Sequence, residues 1–332
     1  MTEAYTMYLE TGSTDPAYNL AFEETVLNCR REGAILILWQ NDSTVVIGQN
    51  QNAEAEIDRA FVETHNIRVV RRMTGGGAVY HDLGNLNYSF ITDAKDAENL
   101  TLQRFTQPIV DALRGLGLHA EASGRNDILV EGRKVSGTAQ RMVKDRILHH
   151  GTLLFDANPD MIAGALRADP AKFQSKSTQS VRSRVGNIRP MLQTDMDLPA
   201  FWAYLKESLG RGTLRPGVLT EEELEQVRRL KAEKYDTWEW NFGNSPHFSV
   251  RRKQKWDGGI LEVGVNVEEG RITQIRFYGD FLSLAPLGPL EQSLEGCPFR
   301  REDVAAVLDV CPLPLYFGSL RKQEILDTMF LG

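Results

Sequence analysis

The feature that most constrains this chain is a run of three glycines between two strand-like segments, in "RRMTGGGAVYHDLGNLNYSF" (residues 71–90). Glycine loses more backbone freedom on folding than any other residue, so three together are costly unless bare backbone is needed. The preceding "IRVVRR" is rich in β-branched residues, and Leu86, Tyr88 and Phe90 alternate with polar residues after the run. The pattern predicts a glycine turn between strands, where a ligand comes close to the main chain.

This turn does not match the common phosphate-binding motifs. No GxxxxGK[ST] occurs, and a strand rather than a helix is predicted after the glycines. Bare backbone can still offer N–H groups to phosphate oxygens. Arg71 and Arg72 stand just before the turn, and strand alternation lets only one of them face a ligand. A glycine-rich bulge with exposed arginines is the purely structural alternative, and this segment alone leaves both open.

Two further segments carry an excess of positive charge. "GRNDILVEGRKVSGTAQRMVKDR" (124–146) predicts a hairpin that turns at Glu131-Gly132, with Lys134 in its second strand and Gly137 close behind. "KFQSKSTQSVRSRVGNIR" (172–189) has five basic residues and no acidic one. These patterns suit a site that binds an anion, with the second segment as a closing loop. A solvated strand face and a solvated linker are the alternatives.

Composition excludes several classes of function. The net charge of −7 argues against a general nucleic-acid binder, and no apolar stretch is long enough to span a membrane. The N-terminus lacks the pattern of a signal peptide. Cys29, Cys297 and Cys311 are scattered, as expected for reduced thiols of a cytoplasmic protein. We therefore expect a cytoplasmic protein without a membrane or nucleic-acid partner.

The three segments also lack a protein nucleophile. No GxSxG occurs, no cysteine lies in any of these segments, and zinc-type histidine spacing is absent. A site of glycines and cations without a nucleophile suits a reaction in which the substrate itself attacks a polarised phosphate.

Strand and helix patterns are mixed along the chain without regular parallel crossovers, which predicts the α+β class. "AILILWQ" and "TVVIGQ" are interpreted as neighbouring strands, and "TEEELEQVRRLKAEKY" as a helix capped by Thr220. The aromatic, turn-rich "DTWEWNFGNSPHFSV" is interpreted as a domain boundary, so we expect a catalytic domain over 1–245 and an accessory domain over 246–332. The accessory domain is expected to hold a sheet and one or two helices.

Three segments in order, "RRMTGGGAVYHDLGN", "NDILVEGRKVSGTAQ" and "SKSTQSVRSRVGNI", closely resemble the lipoate–protein ligase A family. The resemblance implies a large mixed-sheet catalytic domain of the biotin/lipoyl ligase, class II synthetase-like type, with a small C-terminal α+β accessory domain. It implies that ATP and Mg²⁺ convert lipoate to lipoyl-AMP. The lipoyl group then passes to a lysine of lipoyl carrier domains, in E2 subunits of 2-oxoacid dehydrogenases and in the glycine cleavage H protein. We expect a monomer.

The resemblance also implies roles for individual residues. The family's essential lysine corresponds to Lys134, and Asp127 matches a family metal contact, which implies that it binds Mg²⁺. A nucleotide- and phosphate-binding set comprises Asn126, Asp127, Lys134, Ser183 and Arg184. A lipoate- and adenylate-binding set comprises Trp39, Arg72, Thr74, Gly75, Gly76, Gly77, Val79, His81, Asn87, Lys134, Gly137 and His150. Some family members have cysteine where this chain has Asn87, so a thiol there is not required. An eight-carbon acyl chain needs an apolar tunnel, for which Trp39, Val79 and Tyr88 are candidates.

Three other functions stay open at this point. An octanoyl or lipoyl transferase of the same fold acts without ATP, although the long accessory domain favours a ligase. Biotin ligation fits less well, because the basic glycine-rich loop typical of that family is absent. A non-catalytic protein that binds lipoyl carriers or adenylates is disfavoured by the intact lysine and glycines.

Overall fold

Most of the chain is built on one large mixed sheet, in a computed structural model that describes residues 6–94, 102–124, 126–167, 185–210, 212–243 and 250–330. Its eight strands are β1 (Thr6–Glu10), β2 (Ala34–Trp39), β6 (Asn85–Asp93), β7 (Ala120–Ser123), β8 (Asp127–Val130), β9 (Arg133–Val143), β10 (Arg146–Leu154) and β11 (Leu214–Pro216). They lie in the order β11-β1-β2-β6-β10-β9-β8-β7. The pairs β11-β1 and β1-β2 are parallel, and the others are antiparallel.

Helices cover both faces of this sheet. On one face, a core of Leu86, Tyr88, Phe155 and Phe201 packs under two helices, and the rings of Phe155 and Phe201 stack 4.6 Å apart. The other face packs against the first helix of the chain. The helices of this part of the chain are α1 (Pro16–Cys29), α2 (Ala53–Glu56), α3 (Arg59–Thr64), α4 (Leu102–Gly115), α5 (Pro159–Ala165), α6 (Leu198–Gly210), α7 (Glu221–Leu230) and α8 (Trp238–Asn241).

Two sequence predictions about these elements are confirmed. The period-two alternation of β6 places Leu86, Tyr88 and Phe90 in one core. Helix α7 begins with a complete capping box, in which the Thr220 side chain accepts from the Glu223 backbone and the Glu223 side chain accepts from the Thr220 backbone. A π-helical turn follows α7 over residues 231–235.

The second sheet corrects one prediction. Strands β3 (Thr44–Ile47), β4 (Arg68–Arg71) and β5 (Val79–His81) form a separate sheet in the order β4-β3-β5. The polar turn after β2 therefore leads the chain out of the large sheet, and β2 and β3 are not paired neighbours. Asn41 of this turn is buried, and its side chain contacts both α1 and β5, which holds the chain in this direction. The small sheet carries the glycine turn between β4 and β5.

The C-terminal part is an antiparallel sheet covered by helices. Strands β12 (Val250–Trp256), β13 (Gly259–Glu268) and β14 (Arg271–Gly279) follow the chain order, and β13 and β14 turn at Glu269-Gly270, as predicted. The prediction of one or two helices is wrong, because four are described: α9 (Gly288–Leu294), α10 (Arg301–Asp309), α11 (Leu313–Phe317) and α12 (Lys322–Phe330). Two of them have only seven and five residues, too short to show a helical period.

The fold is thus α+β, as the sequence predicts. Within the part of the chain that the structure describes, every helix falls short of the length and apolar character that a bilayer crossing requires.

Candidate active site

A cleft opens between the glycine turn, the small sheet and strands β6, β9 and β10 of the large sheet, with about 590 Å³ of empty space when the solvent at its open mouth is included. Ten of the residues predicted from the sequence line it: Trp39, Arg72, Gly77, Val79, His81, Asn87, Asn126, Lys134, Gly137 and His150. Residues that lie more than a hundred positions apart in the sequence thus share one wall.

Seven lining residues were missed by sequence reasoning: Leu20, Val46, Ala78, Thr138, Ala139, Gly151 and Thr152. Most are small or aliphatic, and none carries a chemical signal of its own. Gly151 has a structural reason to be glycine, because a Cβ there would overlap the hydroxyl of Tyr88 on the neighbouring strand. The same observation corrects the tunnel prediction for Tyr88, whose ring lies in the core on the opposite face.

Lys134 lies near the start of β9 with its ammonium 2.7 Å from the carboxylate of Asp127. Both side chains are about one-third exposed; Lys134 lines the cleft at its mouth, whereas Asp127 is not one of the lining residues. The Lys134 carbonyl accepts from the Gly186 N–H at 2.9 Å, which anchors the returning chain beside this strand. Ser183 and Arg184 lie outside the described residues. The site thus presents a cation already paired with one carboxylate.

Asn126 holds the turn that presents Asp127. Its side-chain N–H donates to the Thr138 carbonyl at 2.8 Å, and the Thr138 N–H donates to the Asn126 carbonyl at 2.9 Å. Across the described ranges, no three His, Cys, Asp or Glu side chains converge as metal ligands. The Asp127 carboxylate is therefore not part of such a cluster within these ranges, and it suits a cation that substrate phosphates also bind.

Arg72 fastens the glycine turn from inside. Its guanidinium donates to the carbonyls of Gly75 and Gly77, at 2.7 and 2.8 Å. It also donates to the Val46 carbonyl and to the Thr74 hydroxyl. Burial lowers the pKa of Arg72 to about 10, which still leaves it charged at neutral pH. The alternative of exposed arginines beside a bulge is wrong, because both Arg71 and Arg72 are buried.

Two of the three glycines contact protein rather than the cleft. A Cβ at Gly75 would lie 2.8 Å from the Phe281 carbonyl oxygen and the Ser283 nitrogen. Gly76 has a φ of +88° and donates its N–H to the Phe281 carbonyl at 3.2 Å. Of the three, only Gly77 lines the cleft. The lack of a side chain at Gly75 and Gly76 instead lets the C-terminal part of the chain pack against the turn.

A buried polar chain runs beneath the cleft, and its centre is Glu23 of α1, which was not predicted. His150 Nδ1 lies 2.9 Å from the Glu23 carboxylate, and His150 Nε2 lies 2.8 Å from the Thr74 hydroxyl. Ser89 donates to Glu23 and accepts from the indole N–H of Trp39. Thr74 thus supports the wall from behind without lining the cleft.

His81 projects from β5 into the cleft wall. Its Nδ1 lies 3.1 Å from the side-chain nitrogen of Asn41, and its buried Nε2 has no hydrogen-bond partner among the described residues. Burial, with the Arg72 cation and His150 nearby, lowers the pKa of His81 to about 3. The ring is therefore neutral at physiological pH.

Two family models match the chain. The model described as the lipoyl protein ligase A/B catalytic domain matches residues 15–210, and the bacterial lipoate protein ligase C-terminus matches residues 245–329. The chain is also 40% identical over 318 residues to lipoate–protein ligase 1 of Staphylococcus aureus, covering 95% of this chain and 97% of that protein.

Solved structures give the same result. A bipartite lipoate protein ligase from Thermoplasma acidophilum, studied with its E2 lipoyl domain, is 31% identical with a TM-score of 0.64 over 75% of this chain and all of that chain. A lipoate–protein ligase A bound with ATP is 30% identical with a TM-score of 0.62, over 73% of this chain and 99% of that chain.

Proposed function

The chain belongs to the lipoate–protein ligase family, and from that premise we propose how its cleft joins lipoate to protein. It is an ATP-dependent ligase that activates lipoate as lipoyl-AMP and passes the lipoyl group to a lysine of a carrier domain. The observation that carries the mechanism is the Lys134 ammonium at the mouth of a cleft lined by both polar and apolar groups.

In the first step, a carboxylate oxygen of lipoate attacks the α-phosphorus of ATP, and the bond to pyrophosphate breaks. Two anions must meet, so a cation between them offsets their repulsion. Lys134 suits this role, since an ammonium is a compact charge with three rotatable donors. Arg72 adds a second, fixed charge, because its guanidinium is already held by the glycine turn.

In the second step, the neutral amine of the carrier lysine attacks the lipoyl carbonyl, and the bond to the AMP oxygen breaks. The attacking nitrogen then loses its proton, and an amide remains. We assign Lys134 the stabilisation of the oxyanion that forms, a contact of the kind worth roughly 3–4 kcal/mol in other enzymes. One ammonium thus serves both steps.

The inner part of the cleft suits the acyl chain. Leu20, Val46, Ala78 and Val79 give it aliphatic walls beside the indole of Trp39. Burying hydrocarbon here stabilises the complex by about 0.8 kcal/mol per CH₂. The residues predicted for lipoate are therefore proposed in that role where they line the cleft, with Thr74 and Glu23 as supports behind it.

Mg²⁺ fits this donor set. Magnesium in nucleotide sites is commonly bound through one or two carboxylates together with substrate phosphates, and Asp127 supplies a carboxylate beside the proposed phosphate position. The ion would neutralise phosphate charge when bound. Asp127 and Asn126 are the residues proposed to hold the metal–nucleotide end, with Ser183 and Arg184 proposed as further phosphate contacts on sequence grounds.

Asp127→Asn is expected to raise the Mg²⁺ concentration for half-maximal pyrophosphate release by about 10–100-fold, because it removes the only proposed carboxylate ligand. The measurement is the initial rate of pyrophosphate release against Mg²⁺ at saturating ATP and lipoate. Asp145→Asn is the matched control, since Asp145 is an exposed carboxylate in the β9–β10 hairpin. An unchanged Mg²⁺ requirement in Asp127→Asn contradicts the assignment.

The acceptors are proposed to be lipoyl carrier domains of 2-oxoacid dehydrogenase E2 subunits and of the glycine cleavage H protein. The relative from T. acidophilum, which has an E2 lipoyl domain as its partner, supports the first class. We further propose a cytoplasmic monomer with a catalytic domain over 1–245 and an accessory domain over 246–332.

The reaction is tested by mass spectrometry of an apo carrier domain incubated with the protein, lipoate, ATP and Mg²⁺. A mass gain of one lipoyl group on the carrier lysine, dependent on ATP, is expected. Transfer only from an acylated carrier protein, without ATP, would favour the transferase. Carrier or adenylate binding without pyrophosphate release would favour the non-catalytic protein.

A further inference from the structure

We propose that Asn41 is a positioning residue that fixes His81 with its ring proton on Nε2, so that a neutral donor faces an oxygen of the activated acyl substrate. The cleft geometry carries this inference, and the identity of the acceptor rests on the proposed function. Asn41 and His81 are both buried, and Asn41 does not line the cleft.

The orientation of Asn41 is set by Asn19 of α1. The side-chain nitrogen of Asn19 lies 3.0 Å from the Ser13 carbonyl, 2.8 Å from the Gln40 carbonyl and 2.9 Å from the Asn41 side-chain oxygen. Two backbone carbonyls can only accept, so this position must be the amide nitrogen of Asn19. Its two N–H groups are shared among the three oxygens, and an amide nitrogen cannot accept a hydrogen bond. The Asn41 atom beside it must therefore be the side-chain oxygen, so the Asn41 nitrogen faces His81.

That orientation selects one tautomer of His81. The Asn41 nitrogen lies 3.1 Å from His81 Nδ1 and can only donate, so Nδ1 must accept with a lone pair. In a neutral ring the proton then resides on Nε2. An imidazolium would set two N–H groups against each other, in addition to facing the Arg72 cation.

The Nε2–H of His81 lacks an acceptor within the described parts of the chain. A buried donor without a partner is unfavourable, so its place in the cleft wall points to a ligand that completes it. The neighbouring Arg72 favours an acceptor with negative charge. The substrate carboxylate and the α-phosphate both carry such oxygens, and a neutral donor serves either without adding a further cation to Arg72 and Lys134.

The tautomer is read directly by long-range ¹H–¹⁵N spectra of the full-length protein labelled at histidine nitrogens, with His81 assigned by its absence in His81→Gln. We expect a protonated Nε2 and an unprotonated Nδ1 in the free wild-type enzyme. In Asn41→Asp, the new carboxylate accepts from Nδ1–H, so Nδ1 should become protonated. The opposite assignment in the wild type overturns the proposal, and that result needs no folded Asn41 variant.

Activity gives a second readout. We expect Asn41→Asp to lower kcat/KM for lipoate in pyrophosphate release by about 10–100-fold, in line with the usual cost of a lost supporting contact. Asn66→Asp is the control, since Asn66 is exposed and its φ of +52° is one that aspartate also tolerates. Equal rates in the two folded variants contradict the positioning role.

Ligand additions distinguish the acceptor. A downfield shift of the His81 Nε2–H with lipoate alone assigns the carboxylate, and a shift only with a non-hydrolysable acyl-sulfamoyl adenosine assigns the phosphate position. No shift with either ligand refutes the donor role. A chain that shows this tautomer but makes no lipoyl-AMP would refute the proposed function and leave the action of Asn41 on His81 intact.

Discussion

Lys134→Ala is expected to reduce lipoyl-AMP formation by at least about 10³-fold, because it removes the charge that offsets repulsion between carboxylate and α-phosphate. The measurement is pyrophosphate release with lipoate, ATP and Mg²⁺, together with chromatography of the adenylate. Transfer from preformed lipoyl-AMP to an apo carrier should fall by about 10²–10³-fold, since the oxyanion loses the same donor.

Lys134→Ala should lose activity while keeping its fold. Lys134 is about one-third exposed, and the Asp127 carboxylate with which it pairs is comparably exposed, so its removal should cost at most about 1 kcal/mol of stability. Lys255→Ala is the matched control, because Lys255 is exposed on β12. Unchanged turnover in Lys134→Ala, with the fold intact, would end the assignment of its role.

Local patterns were enough to place Lys134. The hairpin at Glu131-Gly132 is visible in the sequence, and both residues have the positive φ that such a turn requires. Strand alternation likewise put Leu86, Tyr88 and Phe90 on one face. It does not say which face meets the ligand, and for that reason Tyr88 was wrongly considered for the tunnel.

The missing parts of the site depend on contacts between distant segments. The glycine run signals a close approach of backbone, but the partner of Gly75 and Gly76 is Phe281, some 200 positions along the chain. Asn19 and Glu23 lie in a helix that is buried almost all round, so no polar face singles them out. Their functions appear only when α1 is seen to pack beneath the cleft.

Arg71 illustrates the same limit, since the sequence offered it as a ligand contact or an exposed cation. Its side chain is fully buried, and burial lowers its pKa to about 10, so it remains charged at neutral pH. It donates at 2.6–3.0 Å to five carbonyl oxygens, those of Gly48, Gln49, Gln51, Trp240 and Asn241. One guanidinium therefore ties the loop after β3 to helix α8.

The loop that Arg71 holds also contacts the C-terminal part of the chain. The side chain of Asn50 donates to the Ser283 hydroxyl at 3.0 Å, and the Asn50 carbonyl accepts from the Gly279 N–H at 2.9 Å. A Cβ at Gly48 would overlap the Gly76 carbonyl, so the loop also touches the glycine turn. Loss of Arg71 should therefore loosen the cleft wall as well as the loop.

Arg71→Met is expected to lower the free energy of unfolding by about 3–5 kcal/mol, because several buried carbonyls lose their donor at once and methionine supplies none. The measurement is denaturant-induced unfolding, followed by far-UV circular dichroism. Arg68→Met on the same strand is the control, since Arg68 is 47% exposed and pairs with Asp15, and its loss should cost at most about 1 kcal/mol. Equal shifts in the two variants would mean that the five carbonyls find other donors, and that Arg71 does not organise this loop.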